Sequence, residues 1–214
     1  MAAALPNRHV RRLPMHRRAS RMSQEIPEQD PIEAQVRGVL ERIAADLSML
    51  TDRKVRLDGK AARRCSSKPA GSRGVHIAFK LLFDWRGQQL HGALLLPLPE
   101  ALSLAGYLLM QPEEAVAAKR AQTSLDQATK DAMLEIANFI GGATDGALRL
   151  HFPNGLSVRA RGCQGLRADQ PPAFPFKAGE QLVEGRGTGR IGESPPFDVL
   201  LILPLITEQR APVG

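Results

Sequence analysis

From Asp30 onward, hydrophobic residues recur at three- and four-residue steps: Val36, Val39, Leu40, Ile43, Ala44, Leu47 and Leu50. That is the spacing of one buried helical stripe, and it predicts an amphipathic helix of about 20 residues. Asp30-Pro31 supplies its start, an acid at the N-cap and proline at the first helical position. The period then changes. Val75–Phe83 alternates through Ile77, Phe79 and Leu81, with Leu82 breaking the strict pattern, and Leu90–Leu96 returns after Trp85-Arg86-Gly87-Gln88. Two such runs about a glycine turn predict a hairpin. Pro99-Glu100 opens a short helix, Ala101–Met110, and a polar connection leads to Ser124, the expected N-cap of a second long helix, Leu125–Ile140. Gly141-Gly142 is the expected stop.

Beyond that helix, Ala147–Phe152 and Leu156–Arg161 read as strands joined by a Pro153-Asn154-Gly155 turn. Gln170–Gly192, rich in Pro and Gly, reads mostly as loop, and Phe197–Leu203 as a final apolar strand. Strands interleaved with helices but lacking short βαβ alternation predict an α+β fold, an antiparallel sheet with two long helices packed on it. Each half is a long helix followed by a hairpin, a weak internal repeat without a residue-level match. The expected organisation is one folded domain over 30–206, a basic leader over 1–29 of disordered composition, and a disordered tail over 207–214. Two other readings of the leader stay open: an Arg-rich, acid-free presequence, or translation starting at Met22.

Charge refines this picture. The 214 residues carry a net +7 and a pI near 10.0, a balance that points toward an anionic partner. The charge is unevenly spread, however. Residues 1–22 hold six arginines and no acid, and residues 53–73 hold eight basic groups against Asp58 alone; the 141 residues after Arg73 are net −1. The Arg53–Arg73 stretch mixes charge with Gly, Ser and Pro, so a loop is expected there with a short strand over Lys54–Leu57. It lacks interleaved aromatics, and nucleic acid is therefore not the expected partner. A nucleotide or nucleic-acid binder using this patch is kept only as a minor alternative.

Several chemistries are disfavoured by spacing. Cys65 and Cys163 form no CxxC pair, which fits a reducing, cytoplasmic setting. No apolar run approaches the roughly 18–20 residues of a membrane span, so membrane insertion is not expected. Gly187-Thr188-Gly189-Arg190-Ile191-Gly192 satisfies G-x-G-x-x-G, but Ser194-Pro195-Pro196 follows it and a helix does not, so a glycine-rich hairpin or loop is the reading. His76, His91 and His151 stand alone, without metal-ligand spacing.

The second long helix carries the informative constellation. At 100° per residue, Asp131, Glu135 and Asn138 fall at about 0°, 40° and −20°. Met133, Ile136 and Ile140 fall on the opposite side. The helix thus predicts a buried apolar stripe and, facing away from it, a ridge of two acids and an amide. By geometry alone such a ridge is an ordinary solvated helix face.

The identities go further. Asp-x3-Glu-x2-Asn followed by a glycine pair, within Glu135-Ile136-Ala137-Asn138-Phe139-Ile140-Gly141-Gly142-Ala143, resembles the signature of the CheC/CheX/FliY family of chemotaxis phosphatases. The layout from Asp30 to Pro204 resembles a CheX-like domain, including the Leu90–Pro99 strand with its glycine. The resemblance implies a pseudo-two-fold α+β fold and a phosphatase that docks on a phosphorylated CheY-like receiver domain. By that resemblance Asn138 orients the attacking water, Glu135 pairs with the receiver's lysine and Asp131 makes docking contacts. The protein would need no cofactor of its own, since the receiver supplies Mg²⁺; a homodimer is left open. One position departs from the pattern: Arg161 stands where the signature proline, 23 residues after the Asn, would be. The first helix has no Glu-x2-Asn, so a single-site, CheX-like member is implied. A catalytically degenerate receiver-binding module on the same fold is the alternative.

Overall fold

The computed structural model describes residues 30–206. The expected leader, with its alternative start at Met22, and the expected tail lie outside the described residues. The elements in chain order are α1 (Pro31–Thr51), β1 (Val55–Cys65), β2 (His76–Trp85), β3 (Gln88–Pro97), α2 (Leu98–Leu108), α3 (Glu113–Lys119), α4 (Gln127–Leu148), β4 (Leu156–Leu166), β5 (Leu182–Ile191) and β6 (Phe197–Pro204). The strands form one sheet in the order β1-β5-β6-β3-β2-β4, antiparallel at every pairing. The expected α+β architecture is therefore the observed one.

The strand order has an internal symmetry. Exchanging β1 with β4, β2 with β5 and β3 with β6 reverses the order without changing it, so the two halves are related by a pseudo-two-fold axis between β3 and β6. Both outer strands also carry an irregularity near the same point, between Gly59 and Ala61 in β1 and opposite Phe79–Leu81 in β4. Each extra residue bends its strand and re-aims the side chains beyond it. The helix-to-strand ties repeat as well. Ser48 Oγ accepts from Val55 N at 2.9 Å, and Asp145 Oδ1 accepts from Val158 N at 2.7 Å.

The helices cover one face of the sheet. Val36, Leu40, Ile43 and Leu47 of α1, with Met133, Ile136 and Ile140 of α4, pack against Phe79, Leu81, Phe83, Leu94, Val183 and Leu201. The opposite face is covered by the segment after β4, where Phe174 joins Ala78, Ala93, Leu95, Leu182, Leu200 and Ile202. Because β2 is buried on both faces, Leu82 lies under cover at 2% exposure; its break in the alternation reflects two-sided burial. The β2–β3 turn has positive φ at Arg86 (52°) and Gly87 (81°), the two-residue geometry whose twist suits a hairpin.

Six expectations are corrected. The loop expected over Arg53–Arg73 is largely strand β1, eleven residues long. As an edge strand it pairs only with β5, so solvent-facing charges at alternate positions cost nothing and hide the pattern. Its Arg63 is held by Glu184, whose side chain is 1% exposed and also pairs with Arg186 at 2.6 Å. The polar connection before Ser124 contains a short helix, α3, begun after Pro112 with Glu113 and Glu114 in its first turn. The second long helix is capped by Asp126 and runs through Gly141-Gly142 to Leu148, so Ala147 and Leu148 end a helix rather than start a strand. Gln170–Gly192 includes β5, whose Gly185, Gly187 and Gly189 leave every second position without a side chain and so erase the alternation. The G-x-G-x-x-G run lies in that strand and the turn after it, with no helix following.

The two adjacent glycines of α4 differ physically. A Cβ at Gly141 would lie 2.7 Å from Ala160 N in β4, whereas one at Gly142 would meet nothing within 4 Å. Gly141 thus lets helix and strand approach, while Gly142 only weakens the helix. Gly141→Ala is expected to lower stability by about 1–3 kcal/mol through overpacking. Gly142→Ala is expected to raise it by roughly 0.5–1 kcal/mol. Urea unfolding of both variants reads the opposite signs.

His76 gives a pH dependence. It is 5% exposed, and its Nδ1 has no hydrogen-bond partner. Burial lowers its pKa, against smaller upward pulls from the Gly74 backbone and Asp198. The unfolded chain then binds a proton that the folded chain resists, so stability present at neutral pH falls as pH drops through the unfolded value of about 6.5. Thermal midpoints between pH 7.5 and 5 should show that loss, and a His76→Leu variant should reduce it, leaving the part due to His91, whose pKa burial also lowers.

Candidate functional site

The candidate site is built on α4, and the packing of that helix sets its geometry. At the N-terminus, Asp126 Oδ1 accepts from Thr129 N at 2.7 Å. The Thr129 hydroxyl and amide hold the Asp126 carboxyl below its usual range. Lys119, at the end of α3, is 5% exposed and donates to Thr129 Oγ1 at 2.6 Å. The short helix absent from the sequence reading therefore pins the start of the site helix. Along its length, α4 approaches β4 through Gly141 against Ala160, and Leu134 lies 3.8 Å from the Cβ position of Gly162. At its far end, Asp145 ties it to Val158. A helix anchored at both ends and along one side has little freedom to rotate.

That orientation leaves Asp131, Glu135 and Asn138 exposed, on the ridge opposite the buried stripe. Asp131 Oδ1 accepts from Gln127 Nε2 at 2.8 Å. The Glu135 and Asn138 side chains make no hydrogen bond or ion pair among the described residues. Residues three and four apart on a helix place their Cβ atoms about 5–6 Å from one another. One carboxylate and one carboxamide are therefore presented together, with unspent hydrogen-bonding capacity. An amide both donates and accepts, whereas the carboxylate only accepts.

The structure adds what sequence reasoning missed. Leu134 and Phe139 flank the ridge and are 47% and 38% exposed. Their positions on the helical wheel, beside rather than opposite the polar residues, were the available signal. Gly142, one turn beyond Asn138, is exposed and keeps the ridge low there. Two clefts, of about 760 and 590 Å³, are lined by no residue of α4. Neither cleft therefore serves the ridge.

The pseudo-symmetric helix carries no second copy. Matching the buried positions of the two helices (Leu40 with Ala137, Ile43 with Ile140, Leu47 with Thr144) sets Ala34, Gly38 and Glu41 against Asp131, Glu135 and Asn138. Arg161 sits at the irregularity of β4 and lines a cleft with Lys80, Gln89 and His91. Those three belong to the sheet face away from the helices. Among the described residues, no group of three or more His, Cys, Asp or Glu side chains is placed to hold a metal ion. No helix among them is long and apolar enough to cross a membrane.

Cys163 lies beneath the site helix, its thiol 3.3 Å from the Met133 carbonyl. Burial pushes its pKa up to about 12. Cys65, also raised by burial, is shifted less and is on the edge strand. Because the thiolate is the reactive form, iodoacetamide at pH 8 should label Cys65 well before Cys163. Peptide mapping by mass spectrometry checks that order.

No family model matches the chain, and no curated protein matches its sequence. Solved structures do match. FliY of Thermotoga maritima superposes with a TM-score of 0.65 at 15% identity, over 83% of this chain and 92% of that one. The FliM middle domain from H. pylori gives 0.56 at 11% identity, over 83% and 94%. CheX from Vibrio vulnificus gives 0.52 at 12% identity, over 80% and 98%. The fold that the Asp131-Glu135-Asn138 signature implied is thus the fold observed: this chain has the architecture shared by the CheX, FliY and FliM structures.

Proposed function

We propose that the α4 ridge docks on a response-regulator receiver domain and promotes hydrolysis of its aspartyl phosphate. The observation that carries the reading is the pair Glu135 and Asn138, exposed, unpartnered and one helical turn apart on a helix fixed at both ends. Phosphoryl transfer from a group already clamped by metal and lysine asks little covalent chemistry of a second protein; it asks for a positioned water. Asn138 orients that water without bringing a further negative charge to the phosphate. Glu135 pairs with the receiver's lysine, and Asp131 adds a docking contact. Leu134 and Phe139 supply apolar area at the rim, and the receiver contributes both the concave pocket and the Mg²⁺. This assigns the chain to chemotaxis or two-component signalling as a hydrolase.

A second reading has its own observation. Arg161 replaces the signature proline, and a solved FliG–FliM complex from H. pylori has the same fold on one side of a protein–protein assembly. In this reading the ridge binds a partner without hydrolysis.

The test is loss of acyl phosphate from phosphorylated CheY-like receivers with and without the protein. The proposal expects acceleration by the wild type. Asn138→Ala should remove about 10²-fold or more of it while retaining binding, the scale of losing one positioned catalytic group. Glu135→Ala should weaken docking. Equal phosphate loss with wild type and Asn138→Ala would remove the catalytic role; binding without acceleration would establish the docking module.

A further inference from the structure

The sheet face away from the helices holds a cleft of about 590 Å³ that the α4 ridge does not share. Lys80 of β2, His91 of β3 and Arg161 of β4 line it together with Gln89. The wall is Ala173-Phe174-Pro175, from the segment that folds back over this face. Three features set it apart from an ordinary patch of surface charge. First, neither Lys80 nor Arg161 has an ion pair or hydrogen bond among the described residues; other cations such as Arg56, Arg64 and Arg190 are likewise unpaired, but these two line one cleft together. Second, no acidic side chain lines the cleft; Glu180 is the carboxylate that acts on His91, opposing Arg161. Third, the His91 imidazole is stacked on Phe174, with ring centroids 6.0 Å apart and planes 14° from parallel. Lys68 also approaches Phe174, with Nζ 5.3 Å from the ring centroid and 3.3 Å from the Phe174 carbonyl oxygen, to which it donates.

Two unpaired cations and an imidazole in one concave site form an incomplete electrostatic set, and the missing partner is an anion with several acceptor oxygens. An arginine fork matches such oxygens bidentately, and lysine adds a point charge. We propose that this cleft binds the phosphate group of a small phosphorylated molecule, held by Lys80, Arg161 and His91. The volume accommodates a ligand of nucleotide size, and the Phe174-Pro175 wall provides an apolar side for its organic part.

The probes are pyrophosphate and ADP, titrated into the full chain labelled with ¹⁵N at about 150 mM salt, where weak surface attraction is screened. Sulfate at matched ionic strength serves as the control. Saturable shifts are expected at the His91 ring and the Gly162 amide, with a Kd below about 1 mM and His91 moved toward its protonated form. Lys80→Gln and Arg161→Gln should each weaken binding about tenfold or more. Both side chains reach solvent, so the fold should survive, and thermal unfolding verifies that. ADP binding more tightly than pyrophosphate would assign the apolar wall to the organic part. Shifts that rise linearly without saturation, that sulfate reproduces, or that persist in the double variant would overturn the site.

Discussion

The structure hangs on the pairing of β3 with β6. These strands sit at the centre of the sheet, where the two halves of the chain meet, and are joined in register at Ala93↔Ile202, Leu94↔Leu201 and Leu95↔Leu200. Each is covered on both faces, so neither can alternate polar and apolar residues. The consequence is written in the chain as Leu94-Leu95-Leu96-Pro97-Leu98 and Leu201-Ile202-Leu203-Pro204-Leu205. At roughly 1.5–3 kcal/mol for each fully buried aliphatic side chain, this junction contributes a large share of the hydrophobic stabilisation in a few residues. Gly92 lets it close, since a Cβ there would collide with the Ile202 carbonyl. The remaining strands and both long helices are then arranged symmetrically about it.

That symmetry also explains why there is one ridge and not two. Both long helices must lie close to an outer strand, and both solve the problem with small residues. Gly59 and Gly185 lie beneath Val36 of α1, and Gly141 lies against Ala160 beneath α4. The packing faces are therefore similar, while the outward faces are unconstrained by the fold. On α1 that freedom leaves Ala34, Gly38 and Glu41; on α4 it leaves Asp131, Glu135 and Asn138. Nothing in the stability of the domain requires the second set, whose exposed amide and carboxylate keep their hydrogen-bonding capacity unspent.

What could be read from sequence follows the same division. α1, the β2–β3 hairpin, α2 and β6 were legible because each buries one continuous stripe or run. β5 was hidden because Gly185, Gly187 and Gly189 occupy its helix-facing positions, and β1 because an edge strand places charge where a central one could not. The end of α4 was misread because a glycine pair is usually a stop signal, whereas here tertiary packing against Ala160 selects Gly141 and outweighs its poor helix propensity. α3 was missed because seven residues carry too few turns to show a period. The exposure of Asp131, Glu135 and Asn138 on one face was legible through their wheel positions. The flanking Leu134 and Phe139 were not, because a hydrophobic residue on a helix is read by default as core.

The charge of the chain is best understood after this assignment. Within Arg53–Arg73, the most basic folded stretch, Arg53 pairs with Glu113 and lies over the Tyr107 ring, and Arg63 pairs with the buried Glu184. Removing Glu184 would leave two arginines without their counter-charge, and removing the arginines would strand a buried carboxylate, the costlier error. Part of the basicity, in Arg63, Arg120 and Arg186, therefore serves to neutralise acids that the fold itself buries, and a positive total is weak evidence for an anionic polymer as partner. The informative cations are unneutralised ones that the fold gathers in one cleft. Lys80 and Arg161 gather on the face opposite the helices, while the acid-amide ridge occupies the helical side. β4 borders both: Gly162 lies against Leu134 of the ridge and also lines the cleft. A single edge strand thus separates two surfaces of opposite electrostatic character.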